Sequence, residues 1–299
     1  MATLALDALL ESLIDYAGLF PPAKLDMTTA VGRHAAYLTG PDAPKLGAFI
    51  CPVSRLAEFA AALGHVADRP GEPWRVSALA DGQPRLDLDT VARFNQDHGR
   101  RAVVDMLEIK AAGLESIDRA LEMVPENIYP VFEIPYAGET DDPRGYAAAL
   151  AGSDAAAKLR TGGVTADAFP APERLAAAIM ALAAADVPFK ATAGLHHPIR
   201  AEHDLTYEPG CPRAVMHGFL NVFVGAALVH DDRADVTDLT AILAETDPRV
   251  FSFDDSAASW RRLSIPTDRL ARSRHRFALS YGSCSFDEPL ADLRSLGVL

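Results

Sequence analysis

Basic residues are in short supply: 28 lysines and arginines stand against 41 acids, for a formal net charge of −13 over 299 residues. A field of that sign repels a phosphate backbone, so no nucleic-acid partner is expected. No run of eighteen apolar residues is free of charge, which removes a transmembrane helix and a membrane partner from the expectation. The opening MATLALDALLESLIDYAG has no basic segment and does not read as a secretory signal. Cysteine is limited to Cys51, Cys211 and Cys284, an odd, scattered set without a CxxC pair. That argues against a disulfide framework and fits a reducing, cytoplasmic setting. No low-complexity linker or charge block divides the chain, so one domain over 1–299 is expected.

Lysine is the scarcest of the charged residues, with only Lys24, Lys45, Lys110, Lys158 and Lys190. Lysine can lose its proton and act as a nucleophile, whereas arginine effectively cannot. Three of the five, Lys110, Lys158 and Lys190, lie in or just after strand-like runs.

Those runs cover 13–16, 46–51, 75–80, 103–109, 128–134, 156–160, 188–192 and 277–280. Most are nearly continuous hydrophobic stretches, as expected of parallel strands buried on both faces. Helical patterns separate them at 55–63, 88–96, 114–123, 143–151 and 172–185. Glu108 to Glu133 and Glu133 to Lys158 are each 25 residues apart. Repeating strand–helix units of this size predict an α/β fold, a (β/α)8 TIM barrel. One interval breaks the rhythm. The residues at about 198–275 carry two helical patterns, 214–229 and 235–245, and read as a helical insertion before the last strand. Such an insertion suits a lid or a subunit interface, which leaves a homo-oligomer open. The alternative architecture is a doubly wound open sheet with an appended helical region.

The working end of such a barrel is the C-terminal end of its strands, and the polar residues fall there. Asp15 ends the first strand, Glu108 and Lys110 share a face of the fourth, and Glu133 lies on the fifth. Lys158 and Arg160 share a face of the sixth, Lys190 and Thr192 a face of the seventh, and His196 and His197 follow. Charges flanked by apolar residues are costly unless paired, so the set is expected to meet around one pocket. Two neighbouring lysines repel, which predicts that one ammonium deprotonates more readily. A neutral lysine attacks a carbonyl to form a Schiff base, with Glu108 or Glu133 moving protons. Arg160 is placed to hold a carboxylate or phosphate. Thr161, Gly162 and Gly163 are placed to offer backbone N–H groups to an anion.

The motifs KLRTGG, FKATAGL, YGSCS and VVDMLEIKAAG resemble those of class I aldolases of the deoxyribose-phosphate aldolase type, over 103–194 and 277–286. The resemblance implies that Lys158 forms the Schiff base, that Lys190 assists it, and that Gly282 and Ser283 help hold phosphate. It also implies a strand-four acid in the proton relay, here Asp105 or Glu108. The chain departs from the family in its LHHP turn after strand seven and in the long interval before strand eight.

The expected function is therefore a carbon–carbon lyase or aldolase acting on a small carbonyl or carboxylate substrate, without a cofactor. A rival rests on Asp15, His196 and His197, which resemble the ligands of divalent-metal lyases of the hydroxymethylglutaryl-CoA lyase type. A divalent ion such as zinc or manganese there would polarise a carbonyl for a lyase or hydrolase. His203, Cys211, His217 and Asn221 are further candidate ligands. A third reading is a non-catalytic barrel that binds a small acid.

Overall fold

The structure, a computed structural model, describes residues 3–67 and 71–299. A short helix, α1 (Leu4–Leu10), precedes β1 (Ile14–Tyr16). Then follow α2 (Met27–Tyr37), β2 (Leu46–Pro52), α3 (Leu56–Leu63), β3 (Trp74–Leu79), α4 (Pro84–His98) and β4 (Ala102–Lys110). The alternation continues with α5 (Leu114–Leu121), β5 (Tyr129–Glu133), α6 (Pro143–Leu150), β6 (Ala156–Arg160), α7 (Pro172–Ala184) and β7 (Phe189–Thr192). Each of these seven strands lies on a run expected from the sequence.

The interval before the last strand is more varied than a helical insertion. It holds an antiparallel hairpin, β8 (Ala201–Asp204) and β9 (Arg213–Met216), then α8 (Phe219–His230) and α9 (Val236–Ala244). A three-stranded antiparallel sheet follows, β10 (Phe251–Phe253), β11 (Ala257–Trp260) and β12 (Leu263–Pro266), before α10 (Thr267–Arg276). The eighth barrel strand, β13 (Ala278–Ser283), and α11 (Asp287–Ser295) end the chain. β13 pairs in parallel with both β1 and β7, so the sheet closes in the order β1-β13-β7-β6-β5-β4-β3-β2. The fold is a (β/α)8 TIM barrel, an architecture that is commonly enzymatic. No described helix is long and apolar enough to cross a membrane.

The expected helix over 214–229 is split. Its first residues form β9, and α8 begins only after Gly218. A Cβ on Gly218 would lie 2.5 Å from the Ile199 backbone, so the close approach that ends the hairpin admits glycine alone. From Phe219 to Val229 every residue of α8 is buried, because α9, α10 and the sheet strands β11 and β12 cover the face that would otherwise meet solvent. A helix apolar on all sides is stable only when so enclosed.

Candidate active site

Inside the barrel, six charged side chains form one alternating row. Asp15 Oδ2 lies 2.8 Å from Lys190 Nζ, which lies 2.9 Å from Glu108 Oε1. Glu108 Oε2 is 2.8 Å from Lys158 Nζ, which is 2.8 Å from Glu133 Oε2. Glu133 Oε1 accepts from Arg160 Nε at 3.0 Å. Strand register explains the order: Glu133 pairs with Lys158, and Lys158 with Lys190, across neighbouring parallel strands.

The two ends of the row differ. At the buried end, Asp15 accepts from the Ala48 backbone N–H at 2.7 Å and from Ser280 Oγ at 2.6 Å. Any side chain at Gly47 would collide with its carboxylate. At the open end the Arg160 side chain is 52% exposed, whereas Lys158 and Lys190 are 6% and 1% exposed. Ser77, on β3, links the middle: its hydroxyl donates to Glu108 at 2.7 Å and accepts from Lys190 at 3.3 Å.

Charge matching reverses the lysine expectation. Burial by itself would lower Lys158, but Glu108 and Glu133 outweigh it and hold the ammonium above its ordinary value. Lys190 behaves alike: burial opposes, and Asp15 and Glu108 raise it. Burial would raise Glu108, yet Lys190 and Lys158 pull it far below the usual carboxylate range. Glu133 is lowered too, by Lys158 and Arg160 against burial. The mutual repulsion of the lysines is thus overridden, because three carboxylates stand between and beside them. In the resting state both lysines are ammonium ions.

A cavity of about 740 Å³ opens above this row at the C-terminal ends of the strands. Glu108, Glu133, Lys158 and Arg160 line it, whereas Asp15 and Lys190 lie beneath. Lys158 is therefore the lysine that a ligand meets. Gly163, Thr192 and Gly282 also line the cavity. Thr161 does not: its hydroxyl donates to the carbonyls of Ala193, at 2.6 Å, and Thr192, tying the β6 and β7 loops together. Gly162 lies under Phe169, and Ser283 donates to the Ser285 carbonyl at 2.6 Å. Lys110 is exposed at the end of β4, and Asp105 pairs with Arg75 at 2.6 Å.

His196 and His197 line the cavity mouth but do not join Asp15, whose oxygens are occupied by Lys190, Ser280 and Ala48. His197 Nδ1 lies 2.6 Å from Asp292, and its ring stacks on His203 at 3.4 Å. Burial lowers His196 to about 4, and His203 likewise to about 4, so both rings are neutral at pH 7. His217 Nε2 donates to the Pro170 carbonyl at 2.8 Å, and Asn221 holds the carbonyls of Ile242 and Glu245. Cys211 packs against the Thr206 backbone. Among the described residues, no group of three or more His, Cys, Asp and Glu side chains is placed to hold a metal ion. The ligand set of the metal reading is not assembled.

Several residues of the site carry no sequence signal of their own. Ser77 and Ser280 position the carboxylates without bearing a charge. Tyr207, in the β8–β9 loop, lines the cavity and donates to Glu288 at 3.2 Å. Glu288, from α11, is raised by burial. Compared with known protein families, curated proteins and solved structures, the chain gives no significant match.

Proposed function

We propose that this barrel is a carbon–carbon lyase of the aldolase kind, acting on a small carbonyl or carboxylate compound through a Schiff base on Lys158. The observation that carries the reading is the placement of Lys158: a buried amine at a cavity floor, held between two carboxylates at 2.8 Å each.

Because the resting lysine is protonated, the first step is a proton transfer. Glu133 is the acceptor, since Glu108, equally close to Nζ, is also held by Lys190 and Ser77. The freed amine attacks the substrate carbonyl carbon, and the oxygen takes a proton from the attacking nitrogen to give a carbinolamine. Loss of that hydroxyl as water, with the proton returned by Glu133, leaves the iminium. The iminium draws the electrons of the neighbouring carbon–carbon bond as it breaks, while a carboxylate takes the proton from the departing β-hydroxyl. Protonation of the resulting enamine and hydrolysis restore the amine. Lys190, fixed by Asp15, Glu108 and Ser77, keeps Glu108 ionised beside Lys158. Arg160 Nε is occupied by Glu133, and the exposed remainder of its guanidinium faces the cavity as an anchor for a substrate oxyanion.

The test is cleavage of a panel of β-hydroxy aldehydes, ketones and keto acids, followed by release of the carbonyl fragment. Lys158→Arg keeps the charge and removes the nucleophile, and is expected to lose activity by on the order of 10³-fold or more. Cleavage at an unchanged rate in that variant would remove Lys158 from the chemistry.

A further inference from the structure

Three sectors surround the cavity: the charged floor, an apolar wall, and a polar rim from the loop after β7, the β8–β9 hairpin and α11 that includes His196, His197, Tyr207 and Glu288. All four charged side chains of its floor come from β4, β5 and β6. The lining residues on β2, β3 and the loop after β1 are Ala17, Phe20, Pro21, Pro22, Ile50 and Leu79, and none bears a polar side chain.

The backbone of that wall is equally poor in free donors. Pro21 and Pro22 have no N–H. The Ala17 N–H donates to the Ser283 carbonyl at 2.7 Å and the Phe20 N–H to the Ala17 carbonyl at 2.9 Å. Ile50 leans across the bare Cα of Gly282, where a Cβ would lie 3.0 Å from its Cδ1, and so carries the apolar wall to the edge of Thr192. A hydroxyl group laid on this side would meet no polar side chain and none of these N–H groups free, whereas a methylene gains from leaving water. The cavity volume, about 740 Å³, falls in the range that holds a whole drug-sized ligand and far exceeds a two- or three-carbon aldehyde.

We infer that the substrate is a carbonyl compound whose non-reacting end is an apolar chain or ring, lying over β2, β3 and the loop after β1 while its carbonyl meets Lys158. This inference rests on the Schiff-base reading for the carbonyl end and on the lining alone for the apolar end. It excludes a polyhydroxylated sugar skeleton as the preferred substrate.

The experiment uses the full chain and two sets of probes. In the first, propanal, butanal, pentanal and hexanal are trapped on Lys158 with borohydride, and the concentration giving half-maximal modification is read by peptide mass. That concentration is expected to fall roughly fourfold per added methylene, and Leu79→Asn is expected to flatten the series. Glyceraldehyde is expected to require a higher concentration than propanal. A flat series in the wild-type protein, or glyceraldehyde trapped ahead of propanal, overturns the inference. In the second set, 1-hexanol and glycerol, which form no imine, are titrated by NMR. Saturable binding of hexanol that Leu79→Asn weakens supports the apolar subsite, and its absence overturns it. If no aldehyde modifies Lys158, the Schiff-base reading falls and the hexanol titration alone decides the apolar end.

Discussion

Glu108 is the residue on which the row of charges turns, since it contacts both lysines and Ser77. Its removal would leave two buried ammonium groups with one carboxylate partner each. Loss of one member of a buried ionic pair typically costs about 3–5 kcal/mol, and Glu108→Gln is expected to lose stability on that scale in urea unfolding. The same variant is expected to lower the pH at which Lys158 becomes nucleophilic, because one of the charges that raises it is gone. A variant as stable as wild type would contradict the buried, paired geometry. Glu133→Gln tests the proton acceptor, with turnover expected to drop by about 10²–10⁴-fold; a rate within a fewfold of wild type would assign that step elsewhere. At this scale the sequence was legible where it placed a charge among apolar strand residues, as at Lys158, Lys190, Glu108 and Asp15. Ser77 and Ser280 were not legible, because a serine in a strand advertises neither charge nor unusual cost. The direction of the lysine shift is not legible for a related reason. It depends on how many carboxylates lie within reach, which is a property of strand register and of no single motif.

Elements buried on both faces write themselves into sequence as apolar runs, and all eight barrel strands were readable for that reason. The strands of the hairpin were not: β9 alternates exposed and buried residues over four positions, and β8 is nowhere fully buried. The same holds for α10, TDRLARSRHR, which buries only Leu270, Ser273 and Arg274 and passes for a polar loop. Its Arg274 is enclosed all the same, donating to the carbonyls of Leu9, Leu279 and Glu11, and burial lowers it to about 9. Asn221 ties α8 to the end of α9 and to the loop before β8. Its amide nitrogen donates to the carbonyls of Ile242, at 2.7 Å, and Glu245, at 2.9 Å, while its oxygen accepts from the Arg200 N–H at 3.1 Å. Asn221→Leu would leave the Glu245 carbonyl and the Arg200 N–H without this partner, each worth about 1–3 kcal/mol, while the Ile242 carbonyl keeps the Glu245 N–H. A large drop in melting temperature is expected, and a value near wild type would show that α9 is not anchored through this side chain.

Over the whole molecule, buried histidines set the response to acid. His34 is held at about 3 by burial, and His196 and His217 at about 4, all below the ordinary value of 6.5. The unfolded chain therefore binds protons that the folded chain refuses as pH falls below 6.5, and stability declines by up to about 1.4 kcal/mol per pH unit for each such ring. Glu108 and Glu133 act further down: their contribution is complete above the ordinary carboxylate value and is lost as pH falls through their lowered ones. Lys158 and Lys190 act at the other limit, contributing fully below the ordinary lysine value and less as pH rises through their raised ones. Urea midpoints are expected to be highest between neutrality and about pH 9, and to fall steadily from pH 6.5 to pH 4. A midpoint that stays constant from pH 8 to pH 4.5 would contradict the burial of these rings.

The most direct test of the Schiff-base assignment is borohydride reduction of the intact protein with propanal, with every modified lysine identified by peptide mass. Five lysines make the map simple, and the exposed Lys24 and Lys110 serve as internal references. The expected result is selective modification of Lys158 that is still rising with pH above the ordinary lysine value, with Lys190 untouched beneath it. Modification confined to Lys24 and Lys110, at the same rate in wild type and Lys158→Arg, would contradict it.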